Sequence, residues 1–589
     1  MIRLSPTTAG ISLVLCLWSA LAGAEVRFHG VAAGDMTATD VILWTRAEDD
    51  GDAAGVTAQV ATDPSFASLV ASASGATVPT NNNTLKLAIG GLTTGQTYYY
   101  RFVDAAAPAT TSAVGRFTTA PTASQSRRVR FGFSGDADGM WRPFPSIATI
   151  AERHLDFFIF LGDTIYETKS DGSPATPRLT QADSAAAWQG ALAAYNRKYN
   201  ENIQGVGPDG TPGGDGQAGM TPLFLATGLY VLLDNHELGN RSLQAGGAPA
   251  ALVESAALPT QSQFDINPTG PFNNQTTGFL TLLKAFYNNL PSRVDIVGTP
   301  AGGDLAVTGP TVAAPDDPRS HGTPRHFFAQ QWGPHAVYIQ TDNRSYRDAR
   351  LWQKPLADDT GPRADNPDRT MLGRTQLAWL KQTLRAAQAA GTTWKFVAIS
   401  SPIDQSGDRQ DGKSWYGGYR AERNDLLRFI AEEGIRRVVF LATDDHYSRA
   451  ARLRYATPDG TLRDLPDSFL LVTGPIGAGG PDQVTDHGFP AIRQMADGWD
   501  RSITAVGGPP IGLAGMAGLR DVFREGSPDA ATNPSAVDFF SADTFAYTVL
   551  EVAPDGILTV QTWGLDSYAR NTFRKQLPVR ALMGFTLAP

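Results

Sequence analysis

The sequence Phe160-Leu161-Gly162-Asp163-Thr164-Ile165-Tyr166-Glu167 combines the two features from which the fold class is inferred. Its apolar beginning is typical of a buried strand, and its glycine introduces a turn that carries a carboxylate and, three residues later, a phenol. In open α/β sheets, ligands bind in the crevice beyond the carboxyl ends of the strands. This stretch therefore predicts a strand with a functional site at its end.

Four other apolar runs end in clusters of acids, amides or histidine. One such cluster alone commonly does no more than start a turn or cap a helix. Five clusters at strand ends would meet at one edge of a sheet, where their carboxylates repel one another unless a cation compensates them. We therefore expect a metal site built from oxygen and nitrogen donors. The four other clusters are Ser134-Gly135-Asp136-Ala137-Asp138, Asp234-Asn235-His236-Glu237, Asp342-Asn343-Arg344-Ser345-Tyr346-Arg347 and Asp444-Asp445-His446.

Strand-like and helix-like segments alternate after about residue 125. Apolar runs of strand length recur from residue 129 to residue 472, and residues 145–153, 376–390 and 420–433 have a helical pattern. This alternation predicts an α/β layer fold. Two final runs are joined by Pro554-Asp555-Gly556 and predict a β-hairpin.

The first part of the chain has a different pattern. Residues 25–121 contain short strand-like runs separated by glycine, asparagine and aspartate turns, which is typical of a β-sandwich. Residues 91–101 resemble the leucine and tyrosine corner of fibronectin type III domains. A linker at residues 121–125 would follow this all-β part.

Composition limits the classes of function. The chain has 589 residues, of which 42% are hydrophobic and 18% charged, so we expect a globular protein of at least two domains. The net charge of −9 argues against a general nucleic-acid binder, and no stable nucleic-acid partner is expected. Because Cys16 is the only cysteine, disulfides, thiolate metal sites and thiol nucleophiles are excluded.

Residues 1–24 are interpreted as a Sec-type signal peptide. Arg3 gives a positive start, residues 11–21 are apolar but too few to span a bilayer, and Ala22-Gly23-Ala24 is a small-residue cleavage site. No later stretch reaches about 18 apolar residues, so a transmembrane segment is not expected. We expect a soluble mature protein without cysteine, located in the periplasm or outside the cell.

Two groups of residues carry no assigned chemistry. The connections at residues 168–221, 243–274 and 297–323 have little periodicity, and they are interpreted either as walls and lids of the site or as solvated surface loops. Histidines outside the clusters are interpreted as surface or core residues. These are His29, His154, His321, His326, His335 and His487.

The order of the clusters resembles the calcineurin-like metallophosphoesterases. The resemblance rests on Asp136, on Gly162-Asp163-x-x-Tyr166, on Asn235-His236-Glu237 and on Asp444-x-His446. Within this group the chain is most similar to the alkaline phosphatase D (PhoD-like) family, which also carries an N-terminal fibronectin-like domain. The resemblance covers nearly the whole mature chain.

That resemblance implies a fold and a division into domains. The fold class is α/β, a calcineurin-like β-sandwich flanked by helices and preceded by an all-β, fibronectin type III-like domain. The predicted boundaries are a signal peptide at residues 1–24, a fibronectin type III-like domain at 25–122 and a phosphatase domain at 123–589.

The resemblance also implies roles for single residues. Asp163 would bridge two metal ions. Asp136, Tyr166 and His446 would complete the first site, and Asn235 and Asp444 would bind the second ion. His236 would stabilise the transition state or protonate the leaving oxygen, and Arg344 would bind phosphoryl oxygens. Further candidates are Asp138, Asp234, Glu237 and Arg347; for Arg347, a surface ion pair with Asp348 is an equal alternative.

The donor types suggest which metals would bind. A phenolate and carboxylates favour Fe(III), and an oxygen-only set favours Ca²⁺, with Mn²⁺, Mg²⁺ and Zn²⁺ as alternatives. The chain departs from the family in two motifs, since Asp136 stands where a cysteine ligand is usual and Thr443 stands where a glycine is usual. No twin arginine precedes the apolar signal segment. A carboxylate is a harder donor than a thiolate, so this replacement makes the first site more suited to hard metal ions.

The sequence supports one main hypothesis and two alternatives. The main hypothesis is an exported phosphoesterase that hydrolyses phosphate monoesters or diesters with a hydroxide activated by two metal ions. One alternative is a phosphodiesterase or phospholipase D-like enzyme that acts on lipid headgroups or wall polymers. The other is a non-catalytic binding protein with a degenerate phosphatase domain. The retention of all the implied ligands argues against this second alternative. The oligomeric state is not predicted.

Overall fold

The computed structural model describes residues 25–167, 184–205, 219–239, 245–248, 271–293, 295–296, 317–320, 323–351, 364–405, 412–480, 487–568 and 578–589. The predicted signal peptide lies outside these residues, as do large parts of the three long connections.

The described strands and helices follow one another along the chain in two patterns, all-β at first and mixed afterwards. The strands are β1 (Arg27–Gly34), β2 (Val41–Asp49), β3 (Asp52–Ala53), β4 (Gly55–Ala61), β5 (Leu69–Ala76), β6 (Thr84–Ile89), β7 (Thr97–Asp104), β8 (Gly115–Thr118), β9 (Val129–Ser134), β10 (Phe157–Phe160), β11 (Gly228–Val231), β12 (Asp295–Ile296), β13 (Pro324–Arg325), β14 (Phe328–Trp332), β15 (Ala336–Gln340), β16 (Trp394–Ala398), β17 (Val438–Ala442), β18 (Ser448–Ala456), β19 (Leu462–Val472), β20 (Leu519–Arg524), β21 (Phe540–Ser541), β22 (Thr544–Val552), β23 (Leu558–Asp566) and β24 (Arg580–Leu587). The α-helices are α1 (Ala185–Gln204), α2 (Thr221–Ala226), α3 (Thr277–Asn289), α4 (Arg374–Ala389), α5 (Trp415–Gly418), α6 (Arg420–Glu432), α7 (Phe489–Thr504) and α8 (Asp529–Thr532).

Two large sheets form the body of the protein. The larger sheet has the order β20-β24-β23-β22-β9-β10-β11-β1-β2-β3, with β6 also paired to β2. The second sheet has the order β14-β15-β16-β17-β19-β18-β21. In the larger sheet β9, β10 and β11 are parallel, and in the second sheet β15, β16, β17 and β19 are parallel. Parallel strands end at the same edge, which is where a site is expected.

Aromatic side chains fill the space between the two sheets. The rings of Phe131 and Phe157 in the larger sheet stack at 4.7 Å, and Phe131 meets Phe396 of the second sheet edge to face at 4.9 Å. Successive residues of a strand point to opposite faces. Phe157 accordingly lies in this inner core, whereas Phe158 packs on the outer face.

Helices cover the outer faces of both sheets. Helices α1 and α3 pack on the larger sheet, and α4 and α6 pack on the second sheet. The result is a β-sandwich flanked by helices, which confirms the predicted α/β fold class. The apolar runs predicted between residues 129 and 472 include strands β15 and β17, and the last two runs form the expected antiparallel hairpin of β22 and β23.

Two expectations about helices were wrong. Residues 145–153 do not form an α-helix but two short 3₁₀ turns, Pro145–Ile147 and Ile150–Arg153. His154 ends the second turn with a φ of 50°, a left-handed conformation that stops a helix. Conversely, α1 lies within residues 168–221, where the sequence showed little periodicity. Many of its polar residues are buried, which weakens the amphipathic pattern.

The N-terminal part is all-β, as predicted. Strands β5, β4, β7 and β8 form a four-stranded sheet, whereas β1 and β2 extend the larger sheet through the pairing of Gly34 with Leu229. The backbone N–H of Thr93 donates to the hydroxyl of Tyr98 at 2.9 Å, a contact like that of a tyrosine corner. The fibronectin type III likeness and the boundary at residue 122 remain predictions.

Among the described residues, no helix combines the length and the apolar character that crossing a membrane requires.

Candidate metal centre

The carboxyl ends of the parallel strands of both sheets meet at one edge of the sandwich. Several contacts join the strand ends of one sheet to those of the other, among them the following two. The backbone N–H of Asp444 donates to Asp136 at 3.3 Å, and Nε of Arg344 donates to Asp234 at 2.6 Å. The five clusters of the sequence are therefore gathered in one crevice.

Three of the implied ligands of the first metal ion form a compact triangle. Nε2 of His446 lies 2.8 Å from Oη of Tyr166 and 3.4 Å from Oδ1 of Asp136, and Oη lies 3.4 Å from the same Oδ1. Two ligands at about 2.1 Å from one ion are about 3.0 Å apart in octahedral geometry and about 3.4 Å apart in tetrahedral geometry. The three donor atoms therefore have the spacing that a shared metal ion requires.

The imidazole of His446 is oriented from behind. Its Nδ1 donates to the carbonyl oxygen of Gly479, so in the neutral imidazole the lone pair is on Nε2, which faces the triangle. Burial alone would lower the pKa of His446, but the nearby charge of Asp136 and the hydrogen bonds to Asp136 and Gly479 raise it to about 9. Metal-ligating histidines commonly have such an orienting partner.

Asp163 lies beside the triangle. The donor atoms of Asp136, Asp163 and His446 all lie within 4.8 Å of one another. Burial raises the pKa of Asp163 well above its usual value, and the charges of neighbouring carboxylates, first that of Asp234, raise it further. Because a cation would relieve this repulsion, the electrostatics fit a bound metal.

Four of the implied ligands have a left-handed backbone. The φ angles are 61° at Asp136, 53° at Asp163, 70° at Asp444 and 60° at His446. Such values are uncommon outside glycine and cost about 1–3 kcal/mol each. Strained residues of this kind concentrate at functional sites, so their gathering here is a further reason to regard the crevice as the active centre.

Glu237 holds two of the strand ends in place. Its carboxylate accepts hydrogen bonds from the backbone N–H groups of Asp163 at 3.0 Å, Thr164 at 2.6 Å and Asp234 at 2.9 Å, and from the Thr164 hydroxyl at 2.7 Å. Both oxygens are thus engaged by donors. The geometry favours a positioning role for Glu237 over direct metal binding.

His236 is held between an acid and a phenol. Its Nδ1 lies 2.5 Å from Oε2 of Glu167, and its ring lies 4.0 Å from the ring of Tyr166. Its backbone N–H donates to Oδ1 of Asp163 at 3.0 Å. The contact with Glu167 places the proton on Nδ1 and leaves Nε2 as the nitrogen that can face a reacting group.

The implied ligands of the second metal ion are Asn235 and Asp444. Oδ1 of Asn235 is buried and has no hydrogen-bond partner, which is unusual for a buried amide and fits a role as a metal donor. Asp444 accepts from Nζ of Lys413 at 2.8 Å and from the Ser401 hydroxyl at 3.2 Å. Burial would raise the pKa of Asp444, but the charges of Lys413 and Arg344 lower it below its usual value.

Arg344 is fully buried beside Asp234. Its guanidinium donates to Oδ1 of Asp234, with Nε at 2.6 Å, and to the Ser401 hydroxyl at 3.1 Å. The charge of Asp234 is thereby compensated by Arg344, as that of Asp444 is by Lys413. In this arrangement Arg344 also holds a strand end of the larger sheet against the second sheet.

Arg347 is also fully buried, so the alternative of a surface ion pair with Asp348 was wrong. Asp348 instead accepts a hydrogen bond from Arg319 at 2.8 Å. Nη1 of Arg347 donates to the carbonyl oxygen of Lys413 at 3.4 Å, and its guanidinium lies 6.0 Å from the ring of Tyr419. These contacts hold the segment that carries Lys413.

Asp138 begins a 3₁₀ turn two residues after Asp136. Its Oδ1 accepts from the backbone N–H of Met140 at 3.0 Å, and the residue is buried. A short turn capped in this way is the ordinary structural role of an aspartate after a strand.

Three residues at the centre were missed by the sequence analysis. Glu167 follows Tyr166 directly, and its position next to a ligand motif could have been noticed. The Thr443 hydroxyl donates to Oδ2 of Asp136 from the position where the family usually has glycine. Lys413 had no sequence signal, because it reaches Asp444 from a segment far from every motif.

Comparisons with known proteins agree with the geometry. The family model described as PhoD-like phosphatase matches residues 280–504, and the model of the PhoD-like phosphatase N-terminal domain matches residues 18–121. Alkaline phosphatase D of Bacillus subtilis (strain 168) is 24% identical over 515 residues, which cover 81% of this chain and 76% of that protein. A solved structure of PhoD has a TM-score of 0.63 at 20% identity, covering 95% of this chain and 89% of its own, and this likeness concerns the fold.

Proposed function

The chain belongs to the PhoD-like phosphatase family and is a phosphatase enzyme, and we propose that it is exported and hydrolyses phosphate monoesters or diesters at a centre of two metal ions. The observation that carries this proposal is the triangle of Asp136, Tyr166 and His446 with Asp163 beside it. Family membership alone implies metal ions without giving their number or identity.

The proposed centre uses the ligands that the crevice brings together. Asp136, Asp163, Tyr166 and His446 would hold the first ion, and Asp163, Asn235 and Asp444 would hold the second. Bound metal ions would supply Lewis acidity to the phosphoryl oxygens and lower the pKa of the attacking water. The oxygen-rich donors favour Fe(III) in the first site and Ca²⁺ in the second, with Mn²⁺, Mg²⁺ and Zn²⁺ as alternatives.

His236 is the proposed general acid. Glu167 holds its Nδ1, so a proton on Nε2 is the one that can pass to the leaving oxygen. The ring contact with Tyr166 keeps the imidazole next to the first metal site. These contacts fix the orientation of the His236 imidazole before substrate binds.

Two positively charged side chains, Arg344 and Lys413, would favour an anionic substrate. Arg344 is buried and paired with Asp234, so its proposed role is to fix that strand end and to supply positive charge behind the phosphoryl group. Lys413 is nearer to solvent, with 25% of its side chain exposed, and it contacts Asp444. A partly exposed ammonium at this place is suited to meet a phosphate oxygen.

Chromogenic phosphate esters test the activity directly. The mature chain, loaded with metal, is expected to hydrolyse a nitrophenyl phosphate monoester or the matching diester, and to lose turnover on chelation. Comparing the two rates at equal metal loading gives the ester preference. Purified protein with stoichiometric metal but no turnover on either ester would contradict the proposal and favour the binding-protein alternative.

The colour of the protein tests the metal in the first site. With Fe(III) bound, the wild-type protein is expected to have a visible absorption band from phenolate-to-iron charge transfer, and Tyr166→Phe is expected to abolish it. Tyr338→Phe is the matched control, since Tyr338 is equally buried but donates to Gln340 within β15. A colourless, active wild-type protein would mean that another metal occupies the site.

Export is tested at the N-terminus. If residues 1–24 are a signal peptide, the protein recovered from the periplasm or the medium is expected to begin at Glu25. Intact mass and N-terminal sequencing measure this. Recovery of a chain that still begins at Met1 from the cell interior would contradict export.

A further inference from the structure

A second group of metal-binding side chains lies outside the proposed centre. It consists of His487, Asp543 and Asp566, whose donor atoms all lie within 4.8 Å of one another. His487 lies two residues before α7, Asp543 lies between β21 and β22, and Asp566 ends β23. None of the three belongs to the sequence clusters, and the sequence analysis interpreted His487 as an ordinary surface or core residue.

The donor spacing suits a metal ion. Nδ1 of His487 lies 3.0 Å from Oδ2 of Asp543, close to the separation of two ligands at about 2.1 Å from one octahedral ion. The Ser541 hydroxyl donates to the other carboxylate oxygen of Asp543 at 3.1 Å and so orients this residue. One imidazole with two carboxylates is a donor set for first-row divalent ions, whereas Ca²⁺ prefers oxygen alone.

The three side chains line a cavity of about 260 Å³. A site with three protein donors needs open positions for water or a further ligand. The cavity has room for such ligands. The side chain of Asp543 is 7% exposed, and that of His487 is 26% exposed.

The charges around the cavity leave an excess of negative charge. Three carboxylates line it, those of Asp543, Asp566 and Glu525. Arg580 compensates one of them, donating to Asp566 at 2.6 Å and to Glu525 at 2.7 Å. Arg524 also lines the cavity, but it is paired with Asp538 at 3.4 Å. Three carboxylates against the two guanidinium groups of Arg524 and Arg580 leave the lining with a net charge of −1 when His487 is neutral.

We propose that His487, Asp543 and Asp566 form an additional binding site for one divalent transition-metal ion such as Zn²⁺. The ion would tie together the start of α7, the connection between β21 and β22, and the end of β23. This connection lies near the proposed catalytic centre, because Ser541 pairs with Ser448, two residues after His446. The inference does not depend on the proposed hydrolytic function.

Metal content per chain tests the site. The full mature protein is dialysed against Zn²⁺ and then against metal-free buffer, and the bound zinc is measured by elemental analysis. Asp543→Asn is expected to bind one Zn²⁺ per chain fewer than the wild type. The same loss of one ion is expected when Asp543→Asn is added to Asp163→Asn, which would separate this site from the proposed catalytic centre.

Two further variants complete the experiment. Asp497→Asn is the matched control, since Asp497 lies on α7 and is paired with Arg493 but does not line the cavity; it is expected to keep the wild-type zinc content. If Asp543→Asn does not fold, as judged by circular dichroism, the more exposed His487→Gln provides the comparison. Equal zinc content in the wild type and in the folded Asp543→Asn or His487→Gln protein would overturn the proposal.

Discussion

Replacing Asp163 with asparagine is expected to lower phosphate-ester hydrolysis by about a thousandfold or more. Asp163 is the proposed ligand shared by both metal ions, and metal-ion catalysis supplies several kcal/mol of transition-state stabilisation. About 4 kcal/mol corresponds to a thousandfold in rate. The measurement is kcat/KM on a chromogenic ester, with the metal content of the variant determined in parallel.

The same substitution is expected not to destabilise the metal-free protein. Burial and the charges of Asp234 and other carboxylates raise the pKa of Asp163, so the ionised side chain is unfavourable in the folded state. Asparagine removes that charge and keeps the shape. The thermal unfolding temperature of metal-free Asp163→Asn is expected to equal or exceed that of the metal-free wild type. Such a trade-off between stability and activity is expected where function requires charges that repel one another.

Asp156 provides the matched control for Asp163. It is also a buried aspartate, but it lies just before β10, at the opposite end of the strand, and accepts from Arg127 and from the backbone N–H of Arg130. Asp156→Asn is expected to reduce stability while leaving kcat within about threefold of the wild type. Retained turnover in Asp163→Asn, or equal loss of turnover in both variants, would refute the assigned role of Asp163.

Replacing Glu237 with glutamine is expected to have the second largest effect. The glutamine amide can accept through one oxygen only, so two of the four hydrogen bonds to the carboxylate are lost and its NH₂ group faces backbone donors. Hydrogen bonds to charged groups contribute about 1.5–3 kcal/mol each. We therefore expect a loss of about 3–6 kcal/mol in the free energy of unfolding, measured by denaturant titration.

Metal affinity should fall together with stability in Glu237→Gln. Glu237 fixes the backbone of Asp163 and Asp234, and loss of such a supporting residue typically lowers metal affinity 10–100-fold. Glu551→Gln is the control, because Glu551 is partly exposed and lies 3.7 Å from Arg128 and Arg130, a surface pair of little energetic weight. Unchanged stability and metal affinity in Glu237→Gln would contradict the positioning role assigned to Glu237.

The architecture was largely predictable because it depends on local pattern. Apolar runs of strand length followed by Asp, Asn or His predicted the parallel strands and the edge at which they end. Helix α1 was missed, since a helix that buries polar residues such as Asn202 has little amphipathic pattern. The joining of β1 to β11 was also missed, because strand pairing over such a distance leaves no local trace.

The roles within the site were predictable only in part. The sequence alone predicted that the clusters containing Asp136, Asp163 and His446 would come together, because the ends of parallel strands must share one edge, and the family resemblance then implied which residues are ligands. It could not distinguish ligands from supporting residues, since Asp234 and Glu237 lie in the same motif as Asn235. Arg344, which binds Asp234, and the backbone N–H groups of Asp163 and Thr164, which bind Glu237, come from other strand ends.

The sequence by itself thus determined the strand ends, the donor types and the absence of thiolate ligands, because each follows from residue identity and local spacing. Only the tertiary structure decided which carboxylate is free to bind a cation and which is already paired. It also brought His487, Asp543 and Asp566 together from three separate elements. The physical reason is that hydrogen bonds and charge compensation depend on distances between segments, which folding sets and local sequence does not record.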